Sequence, residues 1–335
     1  MPDYDKQEFD MYSGFLGIAG GKHLHYLFVE SQYDKTRDPV IIYLGGGPGC
    51  SALHSWSMST GPYIMPDGKD RFSPNLNDYS WNTNANVLYL DSIAGVGYSW
   101  IESGYKPKPK FDDNTAALDT WNAIKVWLQR FPEFATHELY LAGESYAGVI
   151  IPTLIHANLQ QAAADRINIK GMVLGNALTD MSVDAHPAAL AMSFWHNIAD
   201  IDIEKKMVEN GCFPYKLSVY AGETPARNDV QCDNVEDTFI DDILPGLNIF
   251  DVYRYCYFDQ LQAQNRMEDV KVGNSVKSYK KGFTAREYAP WFFNAHKKLK
   301  ESEIPLCLSG AGISSYLNRV DVMDDLHIEY EEENY

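Results

Sequence analysis

The sequence predicts an α/β fold built on a mainly parallel sheet. Up to about residue 180, short continuous apolar runs alternate with segments of helical periodicity, and after Asp180 strand-like runs become rare while helical patterns dominate. Strands that are apolar along their whole length are buried on both faces, which is the condition of a parallel sheet covered by helices.

Val40-Ile41-Ile42-Tyr43-Leu44 runs into three glycines and reads as a buried strand entering a loop. Val87-Leu88-Tyr89-Leu90 is similar and stops at Asp91. Ala117, Trp121, Ile124 and Leu128 recur at helical spacing, predicting an amphipathic helix that closes before Pro132. Leu139-Tyr140-Leu141-Ala142 is the next strand, a helix follows over Val149 to Asn158, and Met172-Val173-Leu174 is a further strand. Beyond residue 180 the helical candidates are 188–198, 203–209 and a polar stretch over 260–281. Residues 1–180 are therefore expected to form the core, and 181–310 a mostly helical cap over the sheet's active edge, with a separate helical domain as the competing arrangement. Residues 311–335 return to the core through Tyr316-Leu317-Asn318-Arg319 and end in an acidic tail, Glu329-Tyr330-Glu331-Glu332-Glu333.

Composition narrows the function classes. The 335 residues are 45% hydrophobic and 22% charged, enough for a large core. A formal net charge of −18 repels nucleic acid and anionic lipid. No apolar run approaches the length of a membrane span, and the start, Met1-Pro2-Asp3-Tyr4-Asp5, lacks the basic flank and apolar stretch of a signal peptide. Cys50, Cys212, Cys232, Cys256 and Cys307 show no C-x-x-C spacing, which argues against a zinc site; no metal or cofactor is expected. Two disulfides and one free thiol fit their number, and no N-x-S/T sequon supports export.

The strongest candidate site is Leu141-Ala142-Gly143-Glu144-Ser145-Tyr146-Ala147-Gly148, set between a strand and a helix. A serine on a sharp strand-to-helix turn needs small residues two positions before and after it, and Gly143 and Ala147 supply them. Such a turn raises the serine Oγ above the sheet, with the following amides and the helix dipole facing a developing oxyanion. The competing role is a helix N-cap serine. A second site, Gly45-Gly46-Gly47-Pro48-Gly49-Cys50-Ser51, directly follows an early strand, where a glycine-rich loop can contribute the other oxyanion donor. A phosphate loop is excluded because no Lys-Ser or Lys-Thr follows.

Together these stretches resemble the serine carboxypeptidase family. Gly46-Gly47-Pro48-Gly49-Cys50-Ser51 and Gly143-Glu144-Ser145-Tyr146-Ala147-Gly148 look like its two signatures. Further similarity lies in Trp81-Asn82, Ala85-Asn86-Val87-Leu88, Ala94-Gly95-Val96-Gly97-Tyr98-Ser99, Arg130-Phe131-Pro132-Glu133, Ile167-Asn168-Ile169-Lys170-Gly171, Gly175-Asn176 and Tyr316-Leu317-Asn318-Arg319. The resemblance implies an α/β-hydrolase fold with a mainly parallel mixed sheet, flanking helices and a helical cap. It implies Ser145 as the nucleophile that forms an acyl-enzyme, the Gly47 and Tyr146 amides as the oxyanion hole, and Glu144 with Gly46 as contacts for the substrate. Glu144 would hold the substrate's terminal carboxylate by sharing a proton with it, which favours acidic pH. The resemblance also implies a Cys50–Cys307 disulfide and, less directly, Cys212–Cys232, with Cys256 unpaired; a lysosome, vacuole or secreted location follows from such bridges.

Three departures bear on specificity: Gly45 stands where the family has asparagine, Ser59 where an acidic residue often precedes a Gly-Pro pair, and Tyr43 where a tryptophan begins the loop strand. The family continues past the Tyr-Leu-Asn-Arg segment through two more strands carrying the catalytic aspartate and histidine, which are missing here. The 335-residue chain is therefore expected to hydrolyse peptide C-termini poorly unless a second chain, or a partner copy in a homodimer, supplies those groups. An esterase or acyltransferase on the same scaffold, and a non-catalytic fragment, are the competing functions.

Overall fold

The computed structural model describes residues 8–64, 75–105, 111–180, 201–212 and 316–328, isolated positions within 184–198 and 230–234 and at 313, and the backbone of 268–272 and 275–279. Nine strands are described before residue 180: β1 (Met11–Ile18), β2 (Lys22–Val29), β3 (Val40–Leu44), β4 (Tyr63–Ile64), β5 (Asn75–Leu76), β6 (Asn86–Leu90), β7 (Trp100–Ile101), β8 (Leu139–Glu144) and β9 (Ile169–Gly175). The main sheet has seven strands in the order β1-β2-β6-β3-β8-β9, with β7 pairing β2. β3 runs parallel to β6 and β8, and β8 parallel to β9, whereas β2 is antiparallel to β1, β6 and β7. The sheet is the expected mixed, mainly parallel one.

The continuous apolar runs are explained by burial on both sides. Val40, Ile42, Leu44, Leu88, Leu90, Leu139 and Leu141 belong to one core cluster, packed on helices α2 (Asp113–Arg130) and α3 (Ala147–Gln160). Their alternates Tyr43, Val87, Tyr89 and Ala142 belong to the other, packed on α1 (Ala52–Ser55) and on the later helix at Val320–Asp325. Successive strand side chains point to opposite faces, so each run serves two cores.

α2 starts where Asp112 accepts a hydrogen bond from the Thr115 amide at 2.9 Å and ends before Pro132. Its Trp127 is fully buried, 5.0 Å from Phe28 and 5.2 Å from Phe131 between ring centroids. Trp127→Ala is expected to lower stability by about 3–5 kcal/mol, read from urea unfolding, because the aromatic nest around it cannot close over the void.

Two compact units divide the chain: residues 1–177, 267–289 and 311–335 form one, and 178–266 with 290–310 the other. The second contains a helix over Ile201–Glu209, matching the helical expectation at 203–209, and a Cys212–Cys232 disulfide, the pairing implied by the family resemblance. The expected helix at 188–198 lies partly outside the described residues. One expectation is corrected: the polar stretch over 260–281 contains an antiparallel hairpin, Glu268–Val272 with Ser275–Tyr279. Valines alternate with charged or polar residues there, and a two-residue Gly273-Asn274 spacer joins the strands, a pattern of period two rather than 3.6.

Candidate active site

β8 ends at Glu144 and α3 begins at Ala147, which leaves Ser145 on the turn between them. Ser145 is exposed and has φ of 56°, the left-handed region that costs a non-glycine residue roughly 1–2 kcal/mol. Its amide donates to the carbonyl of Gly175 on neighbouring β9 at 3.2 Å, which ties the strained residue to the sheet. The small residues on either side are a steric requirement. A Cβ on Gly143 would lie 2.5 Å from Ala147 Cβ and 2.6 Å from the Leu44 carbonyl oxygen. The N-cap alternative fails because Tyr146, not Ser145, occupies that position, and no side chain caps α3. In the first turn of α3 the Gly148 amide donates to the Ser145 carbonyl at 3.0 Å, and the Val149 and Ile150 amides donate to that of Tyr146 at 2.9 and 3.2 Å.

The glycine loop sits directly on this turn. A Cβ on Gly46 would meet the Glu144 carbonyl oxygen at 2.6 Å, Ser145 Cβ at 2.8 Å and the Tyr146 nitrogen at 3.2 Å. Gly47 has φ of 109°, and a Cβ there would lie 2.7 Å from the Gly49 nitrogen. Both motifs found in the sequence therefore meet at one point. Gly45 has no room for a side chain in this conformation, since its Cβ would lie 2.3 Å from the Cys50 carbonyl oxygen.

Around Glu144 the structure gathers Tyr43, Cys50, His54 and Ser55. Ser55 Oγ donates to Glu144 Oε1 at 2.9 Å. Burial pushes the Tyr43 hydroxyl up to about 12, with the Ser55 hydrogen bond opposing and Glu144 adding to the rise. Burial also raises the Cys50 thiol, and Glu144 raises it further. His54 keeps an exposed edge, yet its ring is desolvated enough to hold it below the usual histidine range, against the opposite pull of Glu144. Ser59 is turned away, its hydroxyl donating to the Ser55 carbonyl at 3.2 Å. On the other side of the turn, Tyr146 is half-buried and donates its hydroxyl to Asp113 at 3.0 Å; burial first, then that carboxylate, raise it to about 12.

Asp91, at the end of β6, is a support that the sequence shows only as a strand terminator. It is 1% exposed. Its Oδ1 accepts from Ser51 Oγ at 2.5 Å and from the Ala52 amide at 3.0 Å; its Oδ2 lies 3.3 Å from both the Tyr98 amide and His25 Nδ1. Ser51 in turn caps α1 through the Leu53 amide at 3.1 Å. Asp91 thus fixes the exit of the glycine loop. Cys50 carries a free thiol packed against the loop, its Sγ 3.2 Å from where a Gly47 Cβ would stand, and the expected Cys50–Cys307 pairing falls on a residue outside the described ones. Cys307 and Cys256 lie outside the described residues, as does the acidic tail from 329. Among the described residues no histidine is hydrogen-bonded to Ser145, no cluster of metal-ligating side chains occurs, and no helix is long and apolar enough to cross a membrane.

The serine carboxypeptidase family model matches residues 2–335. The lysosomal protective protein of Mus musculus is 31% identical over 336 residues, covering 98% of this chain and 66% of its own length. Serine carboxypeptidase 1 of Hordeum vulgare is 32% identical over 79% of this chain and 52% of its own. Among solved structures, a prohormone-processing carboxypeptidase from Saccharomyces cerevisiae superposes with a TM-score of 0.55 at 19% identity, over 96% of this chain and 64% of its own, a likeness of fold. The chain thus spans about two-thirds or less of the length of these relatives.

Proposed function

Because the chain belongs to the serine carboxypeptidase family, we propose that it carries the acyl-transfer centre of a C-terminal peptidase, with Ser145 as its nucleophile. The observation that carries this is the left-handed, exposed serine between β8 and α3 with the glycine loop packed on it. In the proposed reaction Ser145 Oγ adds to the carbonyl carbon of the last peptide bond while a base accepts its proton. The amides of Gly47 and Tyr146 stabilise the oxyanion, and the C-terminal residue leaves as the protonated amine. Water then releases the acyl group from Ser145 by the reverse proton path. The base comes from polypeptide other than the described residues, in which no histidine is paired with Ser145. Where that base is lacking, only binding and the oxyanion donors sustain turnover.

The Cys212–Cys232 disulfide and the mouse relative's printed name support a lysosomal, vacuolar or secreted location. Gly45 and the turned-away Ser59 weaken the case for a carboxylate subsite of the family's usual make-up, and they favour a test of simple esters beside blocked dipeptides. Treatment of the purified chain with a fluorophosphonate is expected to give a slow, single adduct that peptide mass analysis places on Ser145 and that Ser145→Ala abolishes. An adduct elsewhere, or none even with the longer polypeptide of the relatives' length, would overturn the assignment.

A further inference from the structure

We propose that His25, a fully buried histidine on β2, is a positioning residue for the glycine loop and acts on the reactivity of Ser145 through Asp91. The inference rests on the reading of Ser145 as nucleophile and goes beyond it to the group that aims the loop's anchor.

The imidazole is fixed from both its backbone and its ring. The His25 amide donates to Ser99 Oγ at 2.8 Å, the His25 carbonyl accepts from the Asp91 amide at 3.0 Å, and Ser99 Oγ donates to the Asp91 carbonyl at 2.7 Å. The ring meets Phe15 and Tyr98 edge to face, at 5.5 and 5.1 Å between centroids. Its Nδ1 lies 3.3 Å from Asp91 Oδ2, and pairing with a carboxylate assigns the proton to Nδ1. Nε2 is buried with no hydrogen-bond partner among the described residues. An unpaired nitrogen in a dry site costs stability, and a phenyl ring would fill the same space without it. What the imidazole offers that a phenyl ring does not is the bond from Nδ1.

That bond bears on the loop because a carboxylate is planar. Asp91 Oδ1 holds the Ser51 hydroxyl at 2.5 Å and the Ala52 amide at 3.0 Å, at the junction where the glycine loop ends and α1 begins. Oδ2 has the Tyr98 amide at 3.3 Å and, among the described residues, His25 as its one side-chain donor. The torsion that turns an aspartate's carboxylate is soft, so what holds Oδ2 sets the direction of Oδ1. Within the loop the Cys50 amide donates to the Gly46 carbonyl at 3.2 Å, which ties the anchor at Ser51 back to the segment packed on the Ser145 turn. His25 thus acts at one remove, by fixing the carboxylate that fixes the loop.

The test separates the hydrogen bond from the packing. His25→Phe keeps a ring between Phe15 and Tyr98 and removes the donor. His25→Asn keeps an N–H donor at the position of Nδ1 and leaves part of the ring's space empty. Fluorophosphonate labelling of Ser145 is timed on the full chain, with melting curves to show that each variant is folded. Labelling is expected to slow about tenfold in His25→Phe, the size of one charge-assisted hydrogen bond, and to stay within about twofold of the wild type in His25→Asn even as its melting temperature falls. If His25→Phe does not fold, His25→Leu serves as the donorless variant. A second arm uses Asp91→Asn, in which a neutral imidazole can move its proton to Nε2 and accept the new N–H at Nδ1. Adding His25→Phe there should remove the labelling that Asp91→Asn alone keeps. Wild-type labelling of the donorless variant, equal slowing in His25→Phe and His25→Asn, or a double variant that labels like Asp91→Asn would each refute the role of His25 while Ser145 stands as the nucleophile. If Ser145 is labelled neither in the wild-type chain nor in one of the relatives' length, both fail.

Discussion

Gly46→Ala should abolish the reactivity of Ser145 while leaving the chain folded. The new methyl group would stand 2.6 Å from the Glu144 carbonyl oxygen and 2.8 Å from Ser145 Cβ, closer than real Cβ contacts come. Both obstacles belong to the strained turn itself, whose backbone is fixed by β8 on one side and α3 on the other. It therefore cannot swing aside as the end of a flexible side chain would. The loop must lift, and with it the amide of Gly47, the proposed oxyanion donor. Loss of one such donor costs about 10²–10³ in rate, so fluorophosphonate labelling of Ser145 should slow by at least about 100-fold. Gly104→Ala is the control: its φ is positive, at 80°, unlike that of Gly46, but an added Cβ there meets nothing within 4 Å. It should cost about 1 kcal/mol of stability and leave labelling unchanged. Labelling of Gly46→Ala at the wild-type rate would show that the loop does not serve the serine.

Gly46 also shows where the sequence is legible and where it is not. The elbow could be read because its requirements are local: a strand run, a serine with small neighbours two positions away on each side, then a helix. The glycine loop could be read for the same reason, as three glycines closing an apolar strand. β3, β6 and β8 are legible because strands buried on both faces are apolar throughout; β9 is legible from its Met172-Val173-Leu174 run, although Met172 and Val173 are exposed. The β1–β2 hairpin was not recognised. Leu24, Tyr26 and Phe28 of β2 fill one core while Leu27 and Val29 fill the other, so no alternation marks the strand, and polar residues such as Lys22 and His25 interrupt the run. The 268–279 hairpin reads as helix within its long polar stretch because the period-two signal rests on a few valines and the Gly-Asn spacer alone.

What stayed invisible in the site is its polar scaffolding. Ser55 and Glu144 are 89 residues apart, and Ser51 and Asp91 are 40 apart. Nothing in either local sequence specifies that they touch; the pairing comes from β3, β6 and β8 lying side by side in register, with Leu44 opposite both Leu90 and Gly143. That register delivers the ends of the strands to one edge of the sheet, with Gly45 and Asp91 just after β3 and β6 and Glu144 closing β8. A sheet that brings strand ends together in this way converts three distant segments into one site.

Asp91 makes that principle measurable. Asp91→Ala is expected to destabilise the chain by at least about 3 kcal/mol, because it strips the acceptor from the Ala52 and Tyr98 amides and from the Ser51 hydroxyl in a site closed to water, and each orphaned donor costs about 1–3 kcal/mol. No nearby group can take over: an added Cβ at Gly97 would already lie 2.1 Å from Asp91 Oδ2, so the backbone there is packed against the carboxylate. Asp91→Asn separates the two halves of the role. Its remaining oxygen can still accept from Ser51 and Ala52, while its new N–H group faces the Tyr98 amide, donor against donor. It should therefore fall between the alanine variant and the wild type in urea unfolding, and should keep most of the labelling rate of Ser145, since the exit of the glycine loop is still tied down. Unfolding of both variants within about 0.5 kcal/mol of the wild type, the range of an inert surface change, would mean that the loop is held by packing alone. The opposite ranking, with asparagine worse than alanine, would place the carboxylate's importance on the Tyr98 side and not on the loop.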